Sequence, residues 1–411
     1  MAEILFLAHR IPWPADRGDK IRSYHYLQHL ARLAPVHVGA FADDDRDMGF
    51  AAEMEPNFAS VYAEKRGKPR WRAGVEALWS GKPVSLTSFA SDSMAAWVSD
   101  RLHSGRISHI FLFSGQMAQY IPNDFAGRII MDFVDVDSAK FESYARVGNP
   151  VMRWVNSREG RLLSAFEHKV ARRADASLFV SKAEAELFRQ RSIVGGAVGN
   201  EKIIAMGNGI DTVHYDPQAE IPRAKGLPVG KRIIFTGQMD YRPNIEAVTD
   251  FAHNAMPAIR CAHPGVYFVI VGRNPADSVK ALAKLDGVTV TGAVDDVRSW
   301  LGAATLVVAP LRIARGIQNK LLEAMAMAKP VVASRAAAEG IAAEDKVHFH
   351  IAANIDEEIA YCCALLADPE GANRLGISAR FHVTQNYSWA GQLAPLERLM
   401  QIPPCITEAA Q

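Results

Sequence analysis

The sequence predicts an α/β protein built from two doubly wound, Rossmann-like domains facing a central cleft. Three observations carry that expectation. Short apolar runs rich in β-branched residues alternate with longer helical patterns, as parallel strands do when joined by crossover helices. The chain has 411 residues, too many for a single hydrophobic core. A turn-rich stretch, Gly195-Gly196-Ala197-Val198-Gly199-Asn200, breaks the alternation near its middle.

The first set of strand-like runs lies at 4–8, 36–41, a weaker 59–62, 110–113, 128–132 and 176–180, with a helical pattern over 19–34. After the break the alternation restarts at 202–205, 232–236, 267–272, 289–291, 305–309, 330–333 and 348–351. The expected domains are 1–200 and 201–380. Open parallel sheets bind ligands beyond the carboxyl ends of their strands, so the residues just after each strand are the ones to inspect.

Lys and Arg number 46 against 45 Asp and Glu, a formal charge of +1 that argues against a nucleic-acid protein. Of the four cysteines, Cys261, Cys362, Cys363 and Cys405, the adjacent pair lies in an apolar run that reads as buried helix. Neither a disulfide framework nor a zinc site is indicated, and a reduced, cytoplasmic setting fits. The N-terminal apolar run has no basic leader and is too short for a signal peptide. No stretch of about 18 apolar residues occurs, so any membrane contact is expected from the surface, at its inner face.

The segment 306–334 reads as strand, basic Gly-containing loop, helix and strand. Its loop, Arg315-Gly316-Ile317-Gln318-Asn319-Lys320, would bring backbone N–H groups and positive charge to a helix start, where a diphosphate is stabilised. Arg312 adds charge, and Glu323, about one turn into the helix, can accept hydrogen bonds from a ribose diol. The bland alternative is a solvated basic helix start with a surface Glu.

This segment resembles the donor-site signature of glycosyltransferase family 4, a large family of retaining enzymes of the GT-B fold. Glu323, followed by Ala-Met-Ala and a Pro-Val-Val strand, matches the second Glu of the family's Glu-x7-Glu and is thereby implied to bind the donor ribose. Arg315 stands where the first Glu would be, which removes the family's usual contact to the donor sugar. The run Arg-Gly-Ile-Gln-Asn-Lys-Leu-Leu-Glu-Ala-Met-Ala is similar to a bacterial subgroup associated with exopolysaccharide and PEP-CTERM sorting systems. Further matches follow strand ends. Gly237 would lie near the donor phosphates with Arg242 as a clamp, Arg273 would reach base or phosphates, and the backbone around Val294 would read the base edge. Each cation has an exposed surface role as its alternative. Asp295 and Asp296 read as helix caps. Asn208-Gly209-Ile210-Asp211 resembles the turn that opens the family's donor domain. Tyr387-Ser388-Trp389 resembles the start of its C-terminal helix, which implies that 381–400 packs back on the first domain.

In the first domain, Gly18 lets the loop after the first strand approach the donor diphosphate or the acceptor. The dinucleotide fingerprint is absent. Lys20 and Arg22 either touch the acceptor or open an exposed helix. Asp132, Asp135 and Asp137 cluster at a strand end, and Asp135 is the candidate catalytic residue, as base or orienter of an acceptor hydroxyl. Caps and turn residues are the alternative. Ser181 reads as an N-cap, with Glu184 completing a capping box. Residues 65–79 are basic and aromatic, with Trp71, Val75, Leu78 and Trp79 on one helical face. That face either packs on the first domain or lies at an anionic membrane surface.

The resemblance implies sugar transfer from an NDP-sugar, with retention, to a polysaccharide or lipid-linked acceptor. It implies neither cofactor nor metal, and phosphate charge met by helix dipole, amides, Arg and Lys. Two alternatives share the fold: a non-hydrolysing nucleotide-sugar epimerase, and a catalytically degenerate sugar-nucleotide-binding subunit, which Arg315 motivates.

Overall fold

The computed structural model describes residues 2–15, 18–146, 149–195, 198–314 and 317–402. It divides into two compact units, Met1–Gly207 with Gln392–Gln411, and Asn208–Gly391. Cys405, Arg315 and Gly316 lie outside the described residues.

The first unit is built on an all-parallel sheet. Its strands are β1 (Glu3–Ala8), β2 (Val36–Ala42), β3 (Ser60–Lys65), β4 (Ile107–Phe113), β5 (Arg128–Val134), β6 (Ala176–Phe179) and β7 (Ile203–Ala205). Their spatial order is β3-β2-β1-β4-β5-β6-β7. Central β1 reads Ile-Leu-Phe-Leu-Ala after Glu3 and is buried throughout that run, as a parallel strand covered on both faces must be. The run at 202–205 belongs here and not with the second set. Ile203 pairs with Ser177 of β6 and sits in this unit's core. The Gly-rich break thus precedes the last strand of the first sheet, because turn residues mark any change of chain direction and not only a domain border.

The second unit holds β8 (Arg232–Thr236), β9 (Tyr267–Val271), β10 (Val288–Gly292), β11 (Leu306–Ala309), β12 (Val331–Ser334) and β13 (His350–Ala352), in the order β10-β9-β8-β11-β12-β13. All pairings in both sheets are parallel. Strand order reverses between β1 and β4 in one sheet and between β8 and β11 in the other, so each unit has one topological switch point, where crevices form at the carboxyl edge. The helix Trp389–Met400 starts in the second unit and finishes in the first. There Leu396 and Met400 are fully buried, and Arg128 donates to the Leu399 carbonyl and to Gln401 Oε1 (2.9 Å).

Three local expectations are corrected. Arg22 and Lys20, on the helix Gly18–Ala31, are buried and paired. Arg22 forks onto Asp132 at 2.8 and 3.2 Å, and Lys20 meets Asp47 at 2.7 Å. Neither is open to an acceptor. Ser181 caps Glu184 N at 3.1 Å, but the Glu184 carboxylate accepts from Val136 N at 2.8 Å instead of closing a capping box. The helix Arg70–Ser80 packs inward through Ala73 and Ala77, both 0% exposed, so the Trp71, Val75, Leu78, Trp79 face does not pack on this unit.

Candidate functional site

The switch point of the second sheet brings together Gly237 and Lys320 of the residues expected at a donor site, with Glu323 one turn further along the same helix as Lys320. Parallel strands put their carboxyl ends on one edge. There the turns after β10, β9 and β8 are laced together: Gly272 N donates to Gly292 O (3.2 Å), Gly237 N to Val271 O (3.0 Å) and Met239 N to Arg273 O (2.9 Å). Packing is close enough that a Cβ on Gly272 would fall 1.6 Å from the Gly237 carbonyl oxygen. The helix Arg242–Asp250 follows β8, with Pro243 in its first turn. Across the switch, β11 leads into the loop before the helix Asn319–Ala326.

Lys320 joins the two sides. Its Nζ donates to Asn244 Oδ1 at 2.7 Å and stands 4.1 Å from the centre of the Phe235 ring. A Cβ on Gly237 would lie 3.0 Å from that Nζ and 2.8 Å from Asn244 Nδ2. Asn244 Nδ2 in turn donates to Gln238 O at 2.8 Å. Burial pushes the Lys320 ammonium down to about 7, against the opposing pull of Glu323. Glu323, one turn further on, is partly buried and receives the Tyr215 hydroxyl. Burial lifts its carboxyl above the usual range, while Tyr215 and Lys320 work the other way. Tyr215 is itself anchored: its N–H donates to Asp211 O (2.9 Å), and its carbonyl accepts from Arg380 (2.8 Å). This arrangement offers a chemical division of labour. An ammonium beside glycine backbone suits an anion, and an oriented carboxylate suits a diol.

The other candidates sit differently. Arg242 is exposed and paired with Glu246 at 2.7 Å, one turn along its own helix. Exposed Arg273 donates through Nε and Nη2 to the Gln238 side-chain oxygen at 3.0 Å, with that amide oriented to satisfy both groups. Val294 is half-buried on the core beyond β10, and Asp296 caps the helix Val297–Gly302 through Arg298 N. Ile317 packs on the same core, Gln318 is the N-cap residue, and Asn319 is exposed. Arg312 pairs with Asp250 at 2.6 Å. Asn244 and Tyr215 were not singled out in the sequence. Asn244 lies two residues after Arg242, whereas nothing in the pattern marks Tyr215.

In the first unit, Gly18 opens the helix after β1. Asp135 lies between β5 and the helix Asp137–Tyr144, half-buried, and accepts from Lys140 Nζ at 2.8 Å; the same ammonium reaches Asp137 at 3.1 Å. Asp132 is fully buried, holding Arg22 and Val134 N (3.0 Å), so the three carboxylates divide into one internal and two surface groups. At this sheet's own switch point stands His9, which no motif indicated. It stacks on Phe113 (5.9 Å between ring centres) and faces Asp19 at 3.5 Å.

Comparison with known proteins bears on the fold and on the second unit. Residues 230–368 match the family described as "Glycosyl transferases group 1". A phosphatidyl-myo-inositol mannosyltransferase of Propionibacterium freudenreichii subsp. shermanii is 31% identical over 171 residues, 40% of this chain and 40% of that protein. The match therefore spans about two fifths of that relative's length. Among solved structures, Anabaena HepE in complex with UDP and glucose superposes with a TM-score of 0.63 at 17% identity, over 97% of this chain and 99% of that one. Sucrose-phosphate synthase of Thermosynechococcus elongatus gives 0.62 at 18% identity, over 97% and 98%. The chain thus has the GT-B fold, and its second unit carries a stretch similar to group 1 glycosyltransferase domains.

Proposed function

We propose that this chain is a retaining glycosyltransferase that moves a sugar from an NDP-sugar to a glycan or lipid-linked acceptor in exopolysaccharide synthesis. The observation that carries the reading is the Lys320 ammonium held against Gly237 and Asn244 at the switch point of the second sheet, with Glu323 one turn beyond. In this reading Lys320, the Gly237 turn and the loop 315–319 meet the diphosphate. Glu323 takes the ribose diol, Val294 lines the base, and Arg242 and Arg273 swing from their present partners to the phosphates. Charge on the leaving diphosphate is met by these groups and the start of the Asn319–Ala326 helix, without a metal ion or cofactor. The first unit holds the acceptor through the Gly18 loop, with Asp135 orienting its hydroxyl. A lipid-linked acceptor draws support from the mannosyltransferase relative, whose name describes a lipid. A UDP donor draws support from HepE, which has been solved in complex with UDP and glucose. The proposed setting is the cytoplasm, at the membrane's inner face, with surface contact through 65–79. No helix of the described residues is long and apolar enough to cross a membrane.

A thermal-shift screen against UDP-, GDP-, ADP- and TDP-sugars tests donor binding, since a ligand of the native state raises stability by mass action. Labelled donor then separates the outcomes. Transfer to an acceptor supports the reading, whereas an isomerised donor would make the chain an epimerase, and binding without turnover a degenerate subunit. The Arg315→Glu variant is expected to lose activity, because Arg315 serves the donor; improved transfer would contradict that role.

A further inference from the structure

Among the described residues of the first unit, every exposed large apolar side chain falls in two stretches. One is Trp71, Val75, Leu78 and Trp79 on the Arg70–Ser80 helix, with Trp79 91% exposed. The other is Tyr144, Val151, Met152 and Trp154, around the start of the helix Pro150–Arg173, and Trp154 is 59% exposed. The sequence pattern marked the first stretch but not the second.

The two are structurally joined. Arg158 donates to the carbonyls of Ala77 (2.7 Å) and Lys82 (3.3 Å), at the end of the Arg70–Ser80 helix. Beside it, the buried Glu159 carboxylate accepts from Val84 N (2.7 Å) and Ser85 N (2.8 Å). Val151, Trp154 and Arg158 fall three and four residues apart, so they share a helical face that leads to the turn bearing Leu78 and Trp79. Charge follows the same map. Segments 65–82 and 144–161 hold ten Lys and Arg against two Glu, a net of +8 that falls to +6 once Asp45 and Asp43, the ion-pair partners of Lys65 and Arg66, are included, in a chain whose total is +1. One of those two Glu is the internal Glu159. Arg72, Lys82, Arg146, Arg153 and Arg161 are all exposed.

We propose that these two helices form one docking surface for an anionic lipid bilayer. Indole rings and aliphatic side chains enter the interfacial layer, while the surrounding cations meet lipid headgroups. Two clamped helices orient the first unit on the bilayer, which a single amphipathic helix free to roll would not do. A protein partner fits less well, because exposed Trp residues on two linked helices that also carry exposed cations match a sheet of anionic headgroups. The surface extends the proposed function on its acceptor side, since it would bring a lipid-linked acceptor within reach. Its consequence for catalysis rests on that reading, but the docking does not.

The test uses the full chain without sugar nucleotide. Co-sedimentation with vesicles of phosphatidylcholine is compared with vesicles enriched in phosphatidylglycerol, and Trp fluorescence is read in parallel. Binding to the anionic vesicles with a blue shift, weakening as salt rises, is the expected result. Trp79→Ser and Trp154→Ser should each reduce partitioning several-fold, and Arg72→Gln with Lys82→Gln should weaken binding at low salt and flatten its dependence on salt. These positions are exposed, so circular dichroism should stay unchanged. Partitioning that ignores lipid charge, or that Trp154→Ser leaves intact, would overturn the two-helix surface. A concentration-dependent dimer abolished by Trp79→Ser would instead assign the face to a second copy of the chain. Nucleotide binding by the second unit is measured without vesicles, so failure of the transferase reading and failure of docking are told apart.

Discussion

Lys320 Nζ reaches Asn244 Oδ1 at 2.7 Å and ties the helix after β11 to the helix after β8 across the strand-order reversal. An ammonium in that position is costly to keep charged, and burial brings it down to about 7. The sign follows directly. A lysine whose native value is lowered penalises the protonated folded state below about 7, and the penalty is relieved as pH rises from there towards its ordinary value of about 10.4. A bound diphosphate reverses this preference. Nucleoside diphosphate binding should therefore take up a proton at about pH 8 and weaken as pH rises above about 7. Calorimetry in buffers of different ionisation enthalpy reads the uptake. Lys320→Met should abolish it and raise Kd by roughly tenfold or more, the worth of a hydrogen bond to a charged group.

Glu323 is held by the Tyr215 hydroxyl, and that pair predicts a graded effect. Glu323→Gln removes the charge that suits a diol and should raise the Kd for a nucleoside diphosphate by about tenfold. The same change should alter the affinity for inorganic diphosphate much less, through the loss of Glu323's pull on Lys320 alone. Tyr215→Phe keeps the carboxylate but frees its orientation, so a smaller loss is expected. Equal losses for nucleotide and inorganic diphosphate would take Glu323 away from the ribose.

What the sequence disclosed and what it hid divide along a physical line. Gly237, Lys320 and Glu323 were legible because strand, turn and helix signals are local, and parallel strands then bring their carboxyl ends together without further information. Asn244 was hidden because its partner lies 76 residues away. Arg22 was misread as a surface cation for the same reason: Asp132, which neutralises it, is 110 residues off. The run at 203–205 is too short for any periodicity, so only its hydrogen bonds to β6 assign it to a sheet. For the Arg70–Ser80 helix, spacing identified the aromatic face, but spacing does not tell a covered face from a bare one. The small residues Ala73 and Ala77 do the packing.

Gly272 tests how tightly the donor edge is built. Its missing Cβ is the space the Gly237 carbonyl occupies, at 1.6 Å from where that atom would be. Backbone cannot yield as a flexible side-chain end would, so Gly272→Ala must displace the Gly237 turn, against which Lys320 rests. A loss of about 1–3 kcal/mol in stability is expected, the usual scale for overpacking. Nucleotide affinity should fall with it. Chemical denaturation gives the first quantity and calorimetry the second. Gly74→Ala is the control, because its Cβ would meet nothing within 4 Å.

The Arg22–Asp132 pair separates a structural role from an acceptor-binding one. Both side chains are essentially inaccessible, at 1% and 0% exposure, with two hydrogen bonds between them. Asp132 also receives Val134 N, so the pair steadies the end of β5 just before Asp135. Removing one partner strands the other as a buried charge, and Arg22→Met should cost about 3–5 kcal/mol. Arg22→Met with Asp132→Leu leaves no uncompensated charge and should recover much of that loss. Urea unfolding of the two single variants and the double variant closes the cycle. If Arg22 instead served the acceptor, Arg22→Met would raise the acceptor KM while leaving the unfolding midpoint in place, and the double variant would restore nothing.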